Sequence, residues 1–138
     1  VTLNMRDASR DEPRVLLIDD SQVARQVLAM TCRQVPALLY AQIDEAPDGL
    51  VALDRLRTQR YDLILTDIRM PNVDGLELVR RVRQELGDLK TPIILISTLG
   101  RQEDVQAGLD AGATAYLSKP LSPYRIKILI ERLLAGRP

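Results

Sequence analysis

From Val15 onward the chain alternates between two kinds of segment. Val15 to Ile18 is an unbroken apolar run, and comparable runs are Leu38 to Ile43, Leu63 to Leu65 ahead of Thr66-Asp67, Ile93 to Ile96 after Pro92, and Ala115 to Leu117. Runs of this kind, without in-and-out alternation, suit strands covered on both faces. Between them lie stretches with helical spacing. Ser21 can cap a helix carrying Val23, Val27 and Met30 on one face, and Leu53 with Leu56 marks a second after Pro47-Asp48-Gly49. Gly75, Val79, Val82 and Leu86 mark a third, and a short, weakly apolar fourth runs from Gln102 to Ala111 with Val105 and Leu109. The last is the clearest: Ile126, Leu129, Ile130, Leu133 and Leu134 follow one stripe, and Gly136 and Pro138 stop it.

Five strands alternating with five helices predict an α/β fold, a five-stranded parallel sheet with right-handed crossovers and helices on both faces, doubly wound. The domain is expected over residues 14–136. Residues 1–13 show no periodicity and read as a flexible N-terminal arm or a cloning remnant. In open sheets of this type the site lies beyond the carboxyl ends of the strands. The unusual polar residues stand at those ends: Asp19 and Asp20 after the first strand, Asp67 after the third, Ser97 and Thr98 after the fourth, Ser118 and Lys119 after the fifth.

Composition narrows the chemistry. The 138 residues carry 19 Lys plus Arg against 19 Asp plus Glu, so the chain as a whole is not a basic nucleic-acid or membrane-surface module. It contains no His, which removes serine and cysteine triads, imidazole proton shuttles and His-ligated metals. The single Cys32 cannot form an internal disulfide, and it reads as an inert, partly buried helix residue in a reducing compartment. With no Trp or Phe there is no base-stacking platform. The longest apolar run, Ala37 to Ala41, is far too short to cross a bilayer, so a cytosolic domain is expected. Arg80, Arg81 and Arg83 read as one solvated helix face.

Three carboxylates gathered at one sheet edge repel one another and raise each other's pKa unless a cation sits among them. Their hard oxygens suit Mg²⁺, and a carboxylate beside such an ion can act as a nucleophile toward phosphorus, forming an acyl phosphate. Lys119 and a hydroxyl would then neutralise and hydrogen-bond the phosphoryl oxygens. Taken singly, each residue keeps a plainer reading. Asp19-Asp20 fits a polar strand end with a helix cap, Asp67 a loop acid, Ser97 a turn hydroxyl, Lys119 a surface lysine and Tyr116 a core residue.

Taken together, over roughly residues 14–136, the chain resembles the receiver domain of two-component response regulators, the chemotaxis-Y-like family with a flavodoxin-like (βα)5 fold. The matching motifs are Asp19-Asp20, Asp67-Ile68-Arg69-Met70-Pro71 with Gly75, Ser97-Thr98 and Ser118-Lys119-Pro120. The resemblance implies that Asp67 accepts a phosphoryl group from a phosphohistidine of a sensor histidine kinase or phosphotransfer protein. It implies that Asp20, Asp67 and the backbone carbonyl of Arg69 ligate Mg²⁺, while Asp19 holds a water on the metal. Ser97 would bond the phosphoryl group and Lys119 would pair with it. A cis peptide before Pro120 would aim Lys119, and Met70-Pro71 with Gly75 would shape the neighbouring loop. Ser97 and Tyr116 would act as a switch, changing the face built by the fourth helix, fifth strand and fifth helix for an output domain or effector. Ile128 would belong to an exposed patch there. Arg69 and Leu99, at the mouth, would shield the acyl phosphate from water and lengthen its life.

Such a domain is a signalling receiver that assists its own phosphorylation and dephosphorylation, not an enzyme with a separate substrate. Direct contact with nucleic acid or membrane is not expected, and a homodimer through the last two helices fits the sequence. A haloacid-dehalogenase-type phosphatase would need a second Asp two residues after Asp19, where Ser21 stands. A dinucleotide fold would need a glycine-rich loop after the first strand, which is missing. A receiver-like interaction domain that never turns over phosphate is the remaining rival.

Overall fold

The computed structural model describes residues 12–98 and 101–136. Its elements in chain order are β1 (Arg14–Ile18), α1 (Gln22–Arg33), a 3₁₀ turn (Pro36–Leu38), β2 (Gln42–Ala46), α2 (Gly49–Thr58), β3 (Leu63–Asp67), α3 (Gly75–Gln84), β4 (Ile93–Ser97), α4 (Gln102–Ala111), β5 (Ala115–Ser118) and α5 (Pro123–Ala135). The strands form one parallel sheet in the order β2-β1-β3-β4-β5, as the alternation of segments predicts.

The sheet has a core on each face. Leu16, Ile18, Ile64, Ile93 and Leu95 point toward α2, α3 and α4 with Leu53, Leu78, Val79 and Val82. Val15, Leu17, Leu63, Leu65, Ile94 and Ile96 point the other way, toward Leu28 and Cys32 of α1 and Ile126 and Ile130 of α5. Successive strand residues face opposite sides, so burial on both faces is why β1, β3 and β4 read as unbroken apolar runs. Ser21, Asp48, Asp74 and Ser122 cap α1, α2, α3 and α5, each side chain accepting from a backbone amide of the first turn. The N-cap of α4, Arg101, makes no such bond.

The structure corrects several expectations from the sequence. The second strand is Gln42–Ala46, not Leu38 to Ile43. It is an edge strand, half-covered and polar, while the apolar run before it is spent on the Pro36–Leu38 turn, where Leu38 and Ala41 are buried and Leu39 and Tyr40 exposed. Val23, Val27 and Met30 share one face of α1, as their spacing predicts, and that face is open to solvent, at 68%, 53% and 66% exposure. Leu28 and Cys32, one turn apart on the opposite side, turn inward instead. Arg83 is not part of a solvated arginine face. Its Nε donates to the Gly112 carbonyl (3.0 Å) and its Nη1 to that of Asp88 (3.0 Å), joining α3 to the turn before β5, whereas Arg80 and Arg81 pair with Glu77. Ile128 is half-buried, not exposed.

Of the expected arm, residues 1–11 lie outside the described residues. The Pro13 carbonyl already accepts the Gln42 amide (2.9 Å) and so belongs to the sheet. Cys32 is fully buried, beyond the partial burial expected, and that burial pushes its thiol up to about 12. The thiolate is the nucleophile, so the native chain should resist iodoacetamide at pH 8 and be alkylated once urea unfolds it, a difference read by intact mass. Below the ordinary value of 9.0 the thiol is neutral in both states and stability is at its full value as far as this group goes; stability falls as pH rises from there toward 12.

Candidate functional site

Strand register brings the polar residues together. Ile18 pairs with Thr66, so Asp19, one residue on, stands beside Asp67; Asp67 pairs with Ile96, and Ser97 with Ser118. All these positions fall at the carboxyl ends, where the loops open. One carboxylate oxygen each from Asp19, Asp20 and Asp67 lies within 4.8 Å of the others. Asp19 is buried (2% exposed), Asp67 partly so and Asp20 exposed, giving the group one open side.

The anchoring bonds leave particular oxygens turned inward. Asp19 Oδ1 accepts from the Ser21 amide and Asp67 Oδ1 from the Ile68 amide, both at 2.9 Å. Asp19 Oδ2 is buried and accepts no hydrogen bond. Lys119 Nζ lies 3.5 Å from that oxygen and 4.0 Å from Asp67 Oδ2. A buried carboxylate oxygen without a hydrogen bond, beside two more carboxylates, fits a hard cation. Burial raises the pKa of Asp67 above the usual carboxylate value, Asp19 and Asp20 push the same way, and Lys119 and the Ile68 amide oppose them.

Lys119 is held by its own backbone, whose amide donates to the Ser97 carbonyl (2.8 Å), and the Lys119–Pro120 peptide is cis, as expected. Ser97 is buried at the end of β4, whereas Thr98 and Ser118 are exposed. Tyr116 is half-buried near α4, where a Cβ on Gly108 would come within 3.5 Å of its ring. Arg69 is exposed, and Met70 and Val73 are buried beneath the loop it begins. Leu99 lies outside the described residues. Gly75 closes the loop: its amide donates to the Ile68 carbonyl (2.8 Å), and a Cβ there would sit 2.3 Å from the Asp67 carbonyl oxygen.

Sequence reasoning missed Arg25 and Glu45. Arg25 Nη1 donates to the Asp19 carbonyl (2.6 Å) and its Nε to Glu45 Oε1 (2.8 Å). The available signal was Arg25 one turn beyond the Ser21 cap, but Glu45 was hidden by the misplaced second strand. A cleft of about 1160 Å³ opens at the other end of the sheet, where Glu12, Asp62 and Asp88 balance Arg14, Arg60 and Lys90. It receives no strand carboxyl end and none of the clustered carboxylates.

Among curated proteins the chain is 45% identical over 106 residues to the gliding motility regulatory protein of Myxococcus xanthus, covering 77% of this chain and 13% of that protein. It is 35% identical over 124 residues to the transcriptional regulatory protein ResD of Bacillus subtilis, covering 90% of this chain and 49% of ResD. The chain thus spans less than half the length of either relative. Among solved structures, the chemotaxis protein CheY4 of Vibrio cholerae superposes with a TM-score of 0.79 at 32% identity, covering 89% of this chain and 99% of that one. The receiver domain of the sensor histidine kinase PA1611 of Pseudomonas aeruginosa, solved with a magnesium ion coordinated in its active-site cleft, gives 0.78 at 30% identity, covering 91% and 99%. No helix among the described residues is long and apolar enough to cross a membrane. Residues 15–131 match the family model of the response regulator receiver domain, and with the fold and the strand-end carboxylates already in place the chain belongs to that family.

Proposed function

We propose that this domain receives a phosphoryl group on Asp67 from a phosphohistidine of a partner histidine kinase or phosphotransfer protein, and passes the signal on by changing its α4–β5–α5 face. The observation that carries the reading is the trio of carboxylates within 4.8 Å of one another, closed on one side by Lys119. The chain has no His of its own, so the donor imidazole must come from elsewhere.

Asp67 Oδ1 is engaged by the Ile68 amide, which leaves Oδ2 as the nucleophile. Its lone pair forms the new O–P bond as the donor N–P bond breaks, and the electron pair of that bond returns to the imidazole nitrogen. Asp19, Asp20 and Asp67, with the Arg69 carbonyl, would hold Mg²⁺. The ion supplies charge neutralisation for the carboxylates and the incoming phosphoryl oxygens. Lys119 would provide a second positive charge, and Ser97 a hydroxyl to bond the transferred group and report its arrival with Tyr116. The same residues would assist hydrolysis of the acyl phosphate, with Arg69 and Leu99 slowing the entry of water.

Two surfaces support partner binding. The exposed Val23–Val27–Met30 stripe starts just past Asp20, and an apolar face beside the acceptor suits helices that carry the phosphohistidine. A hollow of about 230 Å³ lined by Tyr116, Pro120, Leu121 and Arg125 lies on the proposed output face. The donor and the buried single thiol suit a cytoplasmic setting. The test is intact mass after incubation with acetyl phosphate. A single phosphoryl adduct that needs Mg²⁺ and maps to Asp67 is expected; no adduct, with no Mg²⁺ binding, would leave a phosphate-independent interaction domain.

A further inference from the structure

The Arg25 side chain folds back onto the site instead of reaching solvent, leaving it 13% exposed. Nη1 donates to the Asp19 carbonyl at 2.6 Å, and Nε is held by Glu45 Oε1 at 2.8 Å. The Asp19 amide donates to the carbonyl of Ala46, the residue after Glu45 (3.2 Å). Asp19 is therefore gripped at both backbone groups by the end of β2, once directly and once through Arg25.

The Asp19 carbonyl is one end of the peptide that leads into Asp20. Beyond Ile18 no strand ladder constrains this peptide, and like charge drives the exposed Asp20 carboxylate away from Asp19 and Asp67. Turning the peptide would carry Asp20 into water. The guanidinium bond to the carbonyl opposes that turn, and the planar fork suits the task because two of its N–H groups meet two separate oxygens in fixed geometry.

We propose that Arg25, braced by Glu45, is a positioning residue that fixes the Asp19–Asp20 peptide so that both carboxylates face one cation. This rests on the reading of Asp19, Asp20 and Asp67 as a Mg²⁺ site. Electrostatics alone predicts the opposite sign: removing a positive charge beside three carboxylates would tighten Mg²⁺ binding. Loss of affinity is thus a mark of positioning.

The experiment compares the wild type with Arg25→Met, Arg25→Lys and Glu45→Gln. It combines Mg²⁺ titration by calorimetry with the ¹⁵N order parameter of Asp20 and the thermal midpoint, both in EDTA. Arg25→Met is expected to weaken Mg²⁺ roughly tenfold, the scale for removing a group that orients a metal ligand. Arg25→Lys should recover part of this, and Glu45→Gln should lose less. Asp20 should fall from the rigid range, about 0.85, to below about 0.6 in Arg25→Met. Unchanged or tighter Mg²⁺ binding with a rigid Asp20 and a lowered midpoint would overturn the proposal and leave Arg25 as an anchor for α1. A wild type that binds no Mg²⁺ would instead overturn the metal reading, and the Asp20 order parameter would still decide the role of Arg25.

Discussion

Asp67→Asn is expected to fold normally, melt at a higher temperature than the wild type, and take up no detectable phosphoryl group from acetyl phosphate. The amide keeps an oxygen able to accept from the Ile68 amide, so the local anchor at the end of β3 survives. What disappears is a charge that burial, Asp19 and Asp20 all disfavour and that Lys119 and the Ile68 amide only partly compensate. Removing a disfavoured charge while keeping the shape of the side chain stabilises the fold. The same change removes the nucleophile, because a carboxamide oxygen does not displace acetate from the phosphorus of acetyl phosphate. Loss of a covalent nucleophile lowers a reaction by roughly three orders of magnitude or more. Intact mass and a melting curve on one sample check both halves. A lower midpoint would mean that Lys119 needs the Asp67 charge more than Asp67 suffers from it.

Gly75→Ala carries the largest expected loss of stability, about 3 kcal/mol, or a fall in midpoint of about 10 °C. The new Cβ would meet the Asp67 carbonyl oxygen at 2.3 Å and the Ile68 Cα at 2.8 Å. Both are backbone atoms at a strand end, so no side chain can swing aside to make room. Relief requires α3 to lift or the Asp67–Ile68 peptide to move, and either displaces the acceptor. Phosphoryl uptake should therefore fall with stability. Gly87 is the useful contrast: its φ is +67°, and a Cβ there meets nothing within 4 Å. Gly87→Ala should cost only about 1 kcal/mol, through backbone conformation alone. Urea unfolding of both variants separates crowding at Gly75 from conformational strain at Gly87, and equal losses would remove the crowding argument.

The residues that the sequence made legible share a physical property. Strands β1, β3 and β4 are covered on both faces, so each must be apolar throughout, and a short run of Val, Leu and Ile announces it. Where a strand lies at the edge, that requirement lapses. Gln42–Ala46 keeps Gln42 and Glu45 exposed, Ile43 and Asp44 half-buried and only Ala46 buried, and the apolar run beside it belongs to a 3₁₀ turn. Helix existence was readable from spacing and caps, but facing was not. Val23, Val27 and Met30 form as regular a stripe as Leu28 and Cys32 hint at, and only docking on the sheet decides which side is inside. Arg83 looked like its neighbours Arg80 and Arg81 because its partners are the carbonyls of Asp88 and Gly112, five and twenty-nine residues away.

The order of elements, the polar residues at the strand ends and hence the candidate chemistry were readable from the chain alone, because parallel strands with crossovers place every carboxyl end on one edge. Tertiary structure decided what those residues do to one another. Register set Asp19 beside Asp67, burial left Asp19 Oδ2 without a hydrogen bond, and the Ser97 carbonyl held the backbone of Lys119. It also brought Arg25 of α1 onto the Asp19 carbonyl, with Glu45 of β2 accepting from its Nε. Distances of 2.8 to 4.8 Å between groups 20 to 100 residues apart arise only when the sheet has formed.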